Sequence, residues 1–100
     1  MTEIVLGPGA QLELRAAANW YSEQEPGLGE EFLAEIGRTL DSIVQAPERC
    51  PLWRPTRPYR RAIVHRFPYF VFYVYAQDKV RVLAVAHQRR KPGYWLRRNG

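Results

Sequence analysis

The sequence of 100 residues has one cysteine, no long apolar run and almost no acidic residue in its second half. Because Cys50 stands alone, an internal disulfide and a cysteine-based metal cluster are excluded. No apolar stretch approaches the roughly 20 residues of a membrane helix, and no basic region of a signal peptide begins the chain. A glycine-rich phosphate loop is missing, as is a His/Asp/Glu cluster with metal spacing. We therefore expect a soluble, cytoplasmic protein without cofactor, metal or membrane partner.

Charge is distributed unevenly along the chain, although the formal net charge is only +5. Residues 1–48 contain two basic and nine acidic side chains, a net charge of −7. Residues 49–100 contain thirteen basic side chains and one acidic side chain, Asp78, a net charge of +12. Thirteen of the fifteen basic residues are arginine, whose planar guanidinium forms paired hydrogen bonds with phosphate or carboxylate. This segregation predicts a polyanionic partner, either a nucleic acid, an acidic protein or both.

The first half of the sequence has the periodicity of helices. A short strand at Ile4–Leu6 is followed by Gly7-Pro8-Gly9, which is expected to interrupt regular structure. Apolar residues at helical spacing then predict two helices, over residues 10–25 and about 29–45. The turn between them makes a helical hairpin. Gly37, in the middle of the second helix, is interpreted as a point of close approach to the first helix.

The second half begins with an irregular loop and continues as strands. Four prolines between residues 47 and 58 forbid regular structure, and Trp53 is expected to fold back over the core from this loop. Period-two patterning then predicts an antiparallel meander with tight turns at Pro68 and Gln77-Asp78. Its strands are Tyr59–Phe67, Tyr69–Ala76 and Lys79–His87.

In the middle strand, alternate side chains face opposite sides of the sheet. One set is expected to pack beneath the helices, and it comprises Phe70, Phe72 and Val74. The other set is expected to face the functional side, and it comprises Tyr69, Val71, Tyr73 and Tyr75. The predicted fold is one α+β domain over residues 1–100, with a helical hairpin on one face of a small twisted antiparallel sheet. Its element order is β-α-α-β-β-β.

Several motifs, taken in order, resemble the RelE/ParE family of toxins. The helical part of the resemblance consists of Trp20-Tyr21, Pro26-Gly27-Leu28-Gly29, Phe32 and Ile36. The strand part consists of Arg60-Arg61, Phe67-Pro68-Tyr69 and Tyr73, and the closing strand and tail consist of Val82–Trp95. The tail contains His87-Gln88-Arg89-Arg90-Lys91-Pro92-Gly93-Tyr94-Trp95, which is similar to the ending of ParE-like members. The resemblance implies two helices on an antiparallel sheet and an acidic cognate antitoxin as partner.

The resemblance also implies one of two activities. ParE-like members inhibit DNA gyrase, whereas RelE-like members cut messenger RNA on the ribosome. The tail favours the first, so we expect a toxin that arrests growth by binding rather than by catalysis. A metal-independent, ribosome-dependent endoribonuclease is the alternative. A non-toxic basic module that binds nucleic acid is a third hypothesis, because aromatics interleaved with arginines suit single strands.

Candidate site residues lie in the basic half. RNA cleavage without a metal requires a group that accepts the 2′-hydroxyl proton and cations that stabilise the transition state. His87 is the candidate general base because nearby cations, Arg89 and Arg90, disfavour a further positive charge. The alternative for His87 is a residue at the end of a strand that is hydrogen-bonded to backbone. If the protein is ParE-like, the arginines and Trp95 form contact surface and catalyse nothing. The candidate contact residues are Arg60, Arg61, Arg66, Arg81, Arg89, Arg90, Tyr94 and Trp95. The two arginine pairs are expected to converge at one end of the sheet beside Tyr94 and Trp95.

Overall fold

A computed structural model describes residues 2–54, 57–91 and 93–98, which form two helices and four strands. In chain order these are β1 (Glu3–Leu6), α1 (Pro8–Gln24), α2 (Leu28–Gln45), β2 (Tyr59–Ile63), β3 (Tyr69–Ala76) and β4 (Lys79–His87). The predicted order β-α-α-β-β-β is confirmed. Neither helix is both long and apolar enough to cross a membrane.

Two residues of special backbone geometry explain where the helices begin. Pro8 is the first residue of α1, where its missing N–H removes no helical hydrogen bond. The prediction that Gly7-Pro8-Gly9 interrupts regular structure is therefore wrong at Pro8 and Gly9. Gly27 precedes α2 with φ 86°, a left-handed conformation that glycine adopts without strain.

The close contact between the helices lies at Gly29 rather than Gly37. A Cβ atom at Gly29 would overlap the carbonyl oxygen of Ala18 and the Oγ of Ser22, both in α1. Apart from the adjoining residues and backbone of α2 itself, no atom of the described residues comes within 4 Å of the corresponding position at Gly37. The interpretation of Gly37 as the contact point is therefore wrong, because its side of the helix faces open space.

The four strands form one sheet in the order β1-β4-β3-β2. Strands β2, β3 and β4 form the expected antiparallel meander, whereas β1 runs parallel to β4. The sheet is mixed, which corrects the expectation of a wholly antiparallel one. The periodicity of the sequence could not reveal that β1 runs parallel to β4. The direction of β1 relative to the meander depends on the end of the sheet at which the chain re-enters it after α2.

The connections within the meander differ in width. Gln77 and Asp78 join β3 to β4 with φ angles of 53° and 59°, as in the primed turns that suit the twist of a hairpin. Both strands have the predicted bounds. In contrast, β2 ends at Ile63 instead of Phe67, and Val64–Pro68 form a wider connection than the predicted tight turn. Proline has no amide donor and restricts the residue before it, so strand pairing does not continue through Pro68.

The two faces of β3 are the reverse of those predicted. The tyrosine set lies beneath the helices, where Tyr73 is fully buried and its hydroxyl donates to the carbonyl oxygen of Pro47 at 2.8 Å. Phe70, Phe72 and Val74 lie on the opposite side of the sheet, here called the outer face. The prediction failed because tyrosine hydroxyl groups do not have to face solvent. A buried hydroxyl is well tolerated where it has a hydrogen-bond acceptor.

The outer face is covered by aromatic residues from outside the meander. Trp95 is fully buried, with its ring centre 4.5 Å from that of Phe72 and 5.2 Å from that of Trp53. The expectation that Trp53 folds back over the core is confirmed. The buried residues of this face, here called the outer cluster, are Phe72, Leu83, Ala84, Ala86 and Trp95. A register shift between Phe72 and Tyr73 adds a residue to β4, which places the consecutive residues Leu83 and Ala84 together in this cluster.

Candidate functional site

The candidate site is built around the end of β4 and the residues that follow it, here called the tail (residues 88–91 and 93–98). Strand β1 pairs with β4 only as far as Val82. Beyond Val82, two side chains form hydrogen bonds with backbone groups at the edge of β4. The Glu13 carboxylate accepts a hydrogen bond from the N–H of Val85 at 3.0 Å, and Arg98 donates one to the carbonyl oxygen of Leu83 at 3.2 Å. Side chains of α1 and the tail therefore replace a neighbouring strand here.

Glu13 fastens the tail to α1. Its carboxylate accepts hydrogen bonds from the Tyr94 hydroxyl and from Arg98 Nη1, the latter at 2.9 Å, and Arg90 Nη1 lies 3.9 Å away. The Glu13 side chain is only 13% exposed, so solvent screens these contacts weakly. Burial and the hydrogen bond to Glu13 raise the pKa of the Tyr94 phenol, which keeps the hydroxyl protonated as a donor. Sequence reasoning missed Glu13, because a carboxylate on a helix gives no sign of a distant partner.

A small pocket of about 40 Å³ lies on the outer face beside the tail. Arg61 and Arg90 are held there by aromatic rings: their guanidinium carbons lie 4.7 Å from the Phe70 ring centre and 3.9 Å from the Tyr94 ring centre. The pocket therefore combines apolar walls with positively charged groups. Its lining comprises Trp53, Arg61, Phe70, Phe72, Ala86, His87, Gln88, Arg90, Lys91, Tyr94 and Trp95.

The sequence predicts that the pairs Arg60-Arg61 and Arg89-Arg90 converge at one end of the sheet. One arginine of each pair lines the pocket there. Arg61 and Arg90 both line the pocket, and Arg89 is exposed beside Arg90. Arg60 lies on the helix side of β2, where its Nη1 donates to the carbonyl oxygens of Cys50 at 2.7 Å and Glu48 at 3.1 Å. Because neighbouring residues of a strand face opposite sides, Arg60 and Arg61 cannot share one surface.

The remaining contact candidates have separate environments. Arg66 forms an ion pair with Glu31 of α2 at 2.8 Å. Arg81 is exposed on β4, paired with Val74 of the outer face. Trp95 has no exposed surface, so the expectation that it contributes contact surface is corrected: it packs against the sheet instead.

His87, the candidate general base, ends β4 next to Tyr69, with the two ring centres 5.2 Å apart. Its Nδ1 accepts the backbone N–H of Arg89 at 3.1 Å. A neutral imidazole with Nδ1 as acceptor carries its proton on Nε2, so Nε2 is then a donor. Across residues 2–54, 57–91 and 93–98, no group of three or more His, Cys, Asp or Glu side chains is placed to hold a metal ion.

Comparisons with known proteins identify the family. Residues 4–92 match the family described as ParE toxin of type II toxin-antitoxin system, parDE. The fold is similar to that of a solved structure described as "Chromosomal ParDE TA system from P. aeruginosa", with a TM-score of 0.76 and 13% sequence identity. That likeness covers 87% of this chain and 96% of the other. No curated protein sequence matches significantly. Because the family match spans most of its residues, this chain belongs to the ParE toxin family of type II toxin–antitoxin systems.

Proposed function

We propose that this toxin arrests growth in the cytoplasm by inhibiting DNA gyrase, and that a cognate acidic antitoxin neutralises it. The contact with gyrase is made by the outer face and the tail, where Arg61, Arg89, Arg90 and Tyr94 lie toward one end of the sheet and Arg81 lies nearer the β3–β4 turn. Family membership supports a toxin. The inhibition of gyrase and the neutralising partner are the parts that experiment has to test.

The observation that favours binding over catalysis is the hydrogen bond from the Arg89 backbone N–H to His87 Nδ1. It engages the nitrogen that would otherwise accept a proton. The Tyr94 hydroxyl, at the same end of the sheet, donates a hydrogen bond to the Glu13 carboxylate. The guanidinium groups of the nearby arginines stay protonated and suit contact with acidic surfaces.

The arrangement of charge supports an acidic antitoxin as the neutralising partner. The tail and the outer face carry arginines, whereas exposed carboxylates are concentrated on the helices, among them Glu23, Glu30 and Asp41. An acidic segment is therefore attracted to one side of the molecule and repelled by the other, which speeds correctly oriented association. The rate of association should fall as salt rises, because exposed charges are screened over about 8–10 Å. A rate that does not depend on salt would contradict this part of the proposal.

The central test is inhibition of supercoiling by purified gyrase. We expect the purified toxin to inhibit supercoiling, and expression without antitoxin to produce DNA breaks before any messenger RNA is cleaved. Cleaved messages as the first event would support the ribonuclease alternative. No growth arrest at all would support the non-toxic nucleic-acid-binding module.

A matched pair of variants locates the contact. The double variant Arg61→Gln and Arg90→Gln removes two cations of the outer face, whereas Arg15→Gln removes an exposed cation from α1. We expect the double variant to fold and to lose growth arrest, and the α1 variant to remain toxic. A double variant that is folded and fully toxic would contradict the assigned surface.

A further inference from the structure

A second pocket, of about 410 Å³, lies on the helix side of the sheet, between the second half of α2 and the end of β2. It is separate from the outer face, because Ala62 in its wall belongs to the core beneath the helices. Its volume is within the range of sites that bind small molecules, about 300–1,000 Å³. We call it the α2–β2 pocket.

Glu35 gives the α2–β2 pocket a buried acceptor. Only 5% of this residue is exposed, and the contacts of Arg38 go to one of its carboxylate oxygens, Oε1. No described residue donates to the other oxygen, Oε2. Across residues 2–54, 57–91 and 93–98, Trp95 Nε1 is the only fully enclosed side-chain N or O atom without a partner, so Glu35 Oε2 keeps accessible surface. Because Glu35 lines the pocket, a ligand there can supply the missing donor.

The neighbouring guanidinium determines which donor fits. Arg38 lies against Oε1 through Nε and Nη2, so it repels a second cation at Oε2 and favours a neutral N–H. The remaining N–H groups of Arg38 are donors beside this acceptor. The edge of a nucleobase carries neutral N–H donors next to oxygen or nitrogen acceptors, and it therefore complements the pair of Glu35 and Arg38.

Arg49 supplies positive charge to the same pocket. Its Nη2 donates to Ser42 Oγ, and both residues line the pocket, so the exposed guanidinium is held there. Among the described lining residues the only carboxylate is Glu35, which already has a cationic partner. The other N–H groups of Arg49 therefore suit a phosphate. Buried Ile43 and Ala62 add apolar wall against which a sugar and a base can pack.

We propose that the α2–β2 pocket binds a nucleoside monophosphate, with the edge of the base at Glu35 and Arg38 and the phosphate at Arg49. His65 is exposed and lines the pocket, and its imidazole offers a flat face for stacking on the base. The site goes beyond the proposed function, because it lies on the other side of the sheet from the surface assigned to gyrase.

Isothermal titration calorimetry of the full chain tests this, with adenosine monophosphate as the probe. Adenosine lacks the phosphate and ribose phosphate lacks the base, so each keeps one half of the proposed contacts. We expect saturable binding of the nucleotide, and binding of each fragment that is weaker by about tenfold or more, because each loses hydrogen bonds to a charged group. The proposal is overturned if the nucleotide does not bind saturably or if either fragment binds equally well.

Single variants separate the pocket from general attraction. Arg49→Gln should weaken binding of the nucleotide about tenfold and leave that of adenosine unchanged. Arg57→Gln removes an exposed cation of the same loop that does not line the pocket, and it should change the affinity less than twofold. Equal weakening by both variants would overturn the proposal.

Glu35→Gln tests the end of the pocket that holds the base. It should weaken binding of adenosine monophosphate about tenfold and leave that of ribose phosphate unchanged, with the fold verified by circular dichroism. Equal loss for both ligands would overturn the assignment of the base. Arg49 is exposed, so its variant decides the proposal even if Glu35→Gln does not fold.

A nucleotide at the end of an RNA strand presents the same chemistry as a free nucleotide. A trinucleotide of adenosine with a terminal phosphate distinguishes the two sources. We expect it to bind no more tightly than the mononucleotide, because the volume is that of a site for one small molecule. Tighter binding of the trinucleotide would overturn the proposal and assign the pocket to RNA. The titrations need neither gyrase nor antitoxin, so their result is independent of toxicity.

Discussion

Replacing Glu13 with alanine tests whether one carboxylate fastens the tail to the helical hairpin. The substitution removes the acceptor of three donors: the Val85 amide, the Tyr94 hydroxyl and the Arg98 guanidinium. Hydrogen bonds to charged groups contribute about 1.5–3 kcal/mol each, and removing one member of a buried ionic group costs about 3–5 kcal/mol. Arg98 is 29% exposed and can turn toward water, so we expect a loss near the lower limit, about 3 kcal/mol.

This loss should be evident in thermal unfolding followed by circular dichroism. For a domain of this size, 1 kcal/mol corresponds to roughly 4–8 °C, so the Tm should fall by roughly 12–24 °C. Glu13→Gln keeps one acceptor oxygen and should lose about half as much. Glu23→Ala, an exposed position of the same helix, should change the free energy of unfolding by no more than about 0.5 kcal/mol. If Glu13→Ala matched this control, packing of Trp95 alone would hold the tail.

Three other predictions follow from single positions. In urea denaturation, Gly29→Ala should destabilise the protein by about 1–3 kcal/mol, because the added Cβ overlaps α1. Gly37→Ala should stabilise the protein by up to about 1 kcal/mol, because the position is open and alanine favours the helix. Effects of the same sign would contradict the assignment of Gly29 as the helix contact. Burial and the bond to Glu13 raise the pKa of Tyr94 above its unfolded value of 10.0, so its contribution to stability is complete below pH 10 and declines above it. In Tyr94→Phe, the free energy of unfolding should therefore decrease less steeply as the pH rises above 10. An unchanged slope would show that Tyr94 does not cause the alkaline loss of stability. His87→Gln should leave growth arrest within a few-fold of wild type, while a loss of about 10²–10⁴ in an RNA cleavage rate would restore the general-base hypothesis.

Local sequence patterns determine most elements of the fold, but not how the two sides of the sheet are covered. The bounds of β3 and β4 follow from alternation and turn chemistry, which act over a few residues. The assignment of faces in β3 was wrong, because both faces are buried and the residues that decide between them lie elsewhere. Trp53 and Trp95 cover Phe72, and Pro47 accepts the hydroxyl of Tyr73.

The candidate site was predictable in part. The basic tail and Arg61 were found from charge, and the alternation of β2 contained enough information to separate Arg60 from Arg61. The role of Glu13 was not available from sequence, since it depends on where β1 stops pairing with β4. That end point leaves the Val85 amide for a side chain of α1.

The attachments of the tail have a consequence for recognition. A flexible arginine side chain loses about 0.5–1.5 kcal/mol of conformational freedom when a partner immobilises it. Arg90 is already positioned by Tyr94, and Tyr94 is positioned by Glu13. Trp95 anchors the same segment in the outer cluster, so the cations form part of a rigid surface before any partner arrives. We therefore expect the affinity of this chain for an acidic partner to depend on Glu13 of the first helix, because Glu13 positions the segment that carries these cations.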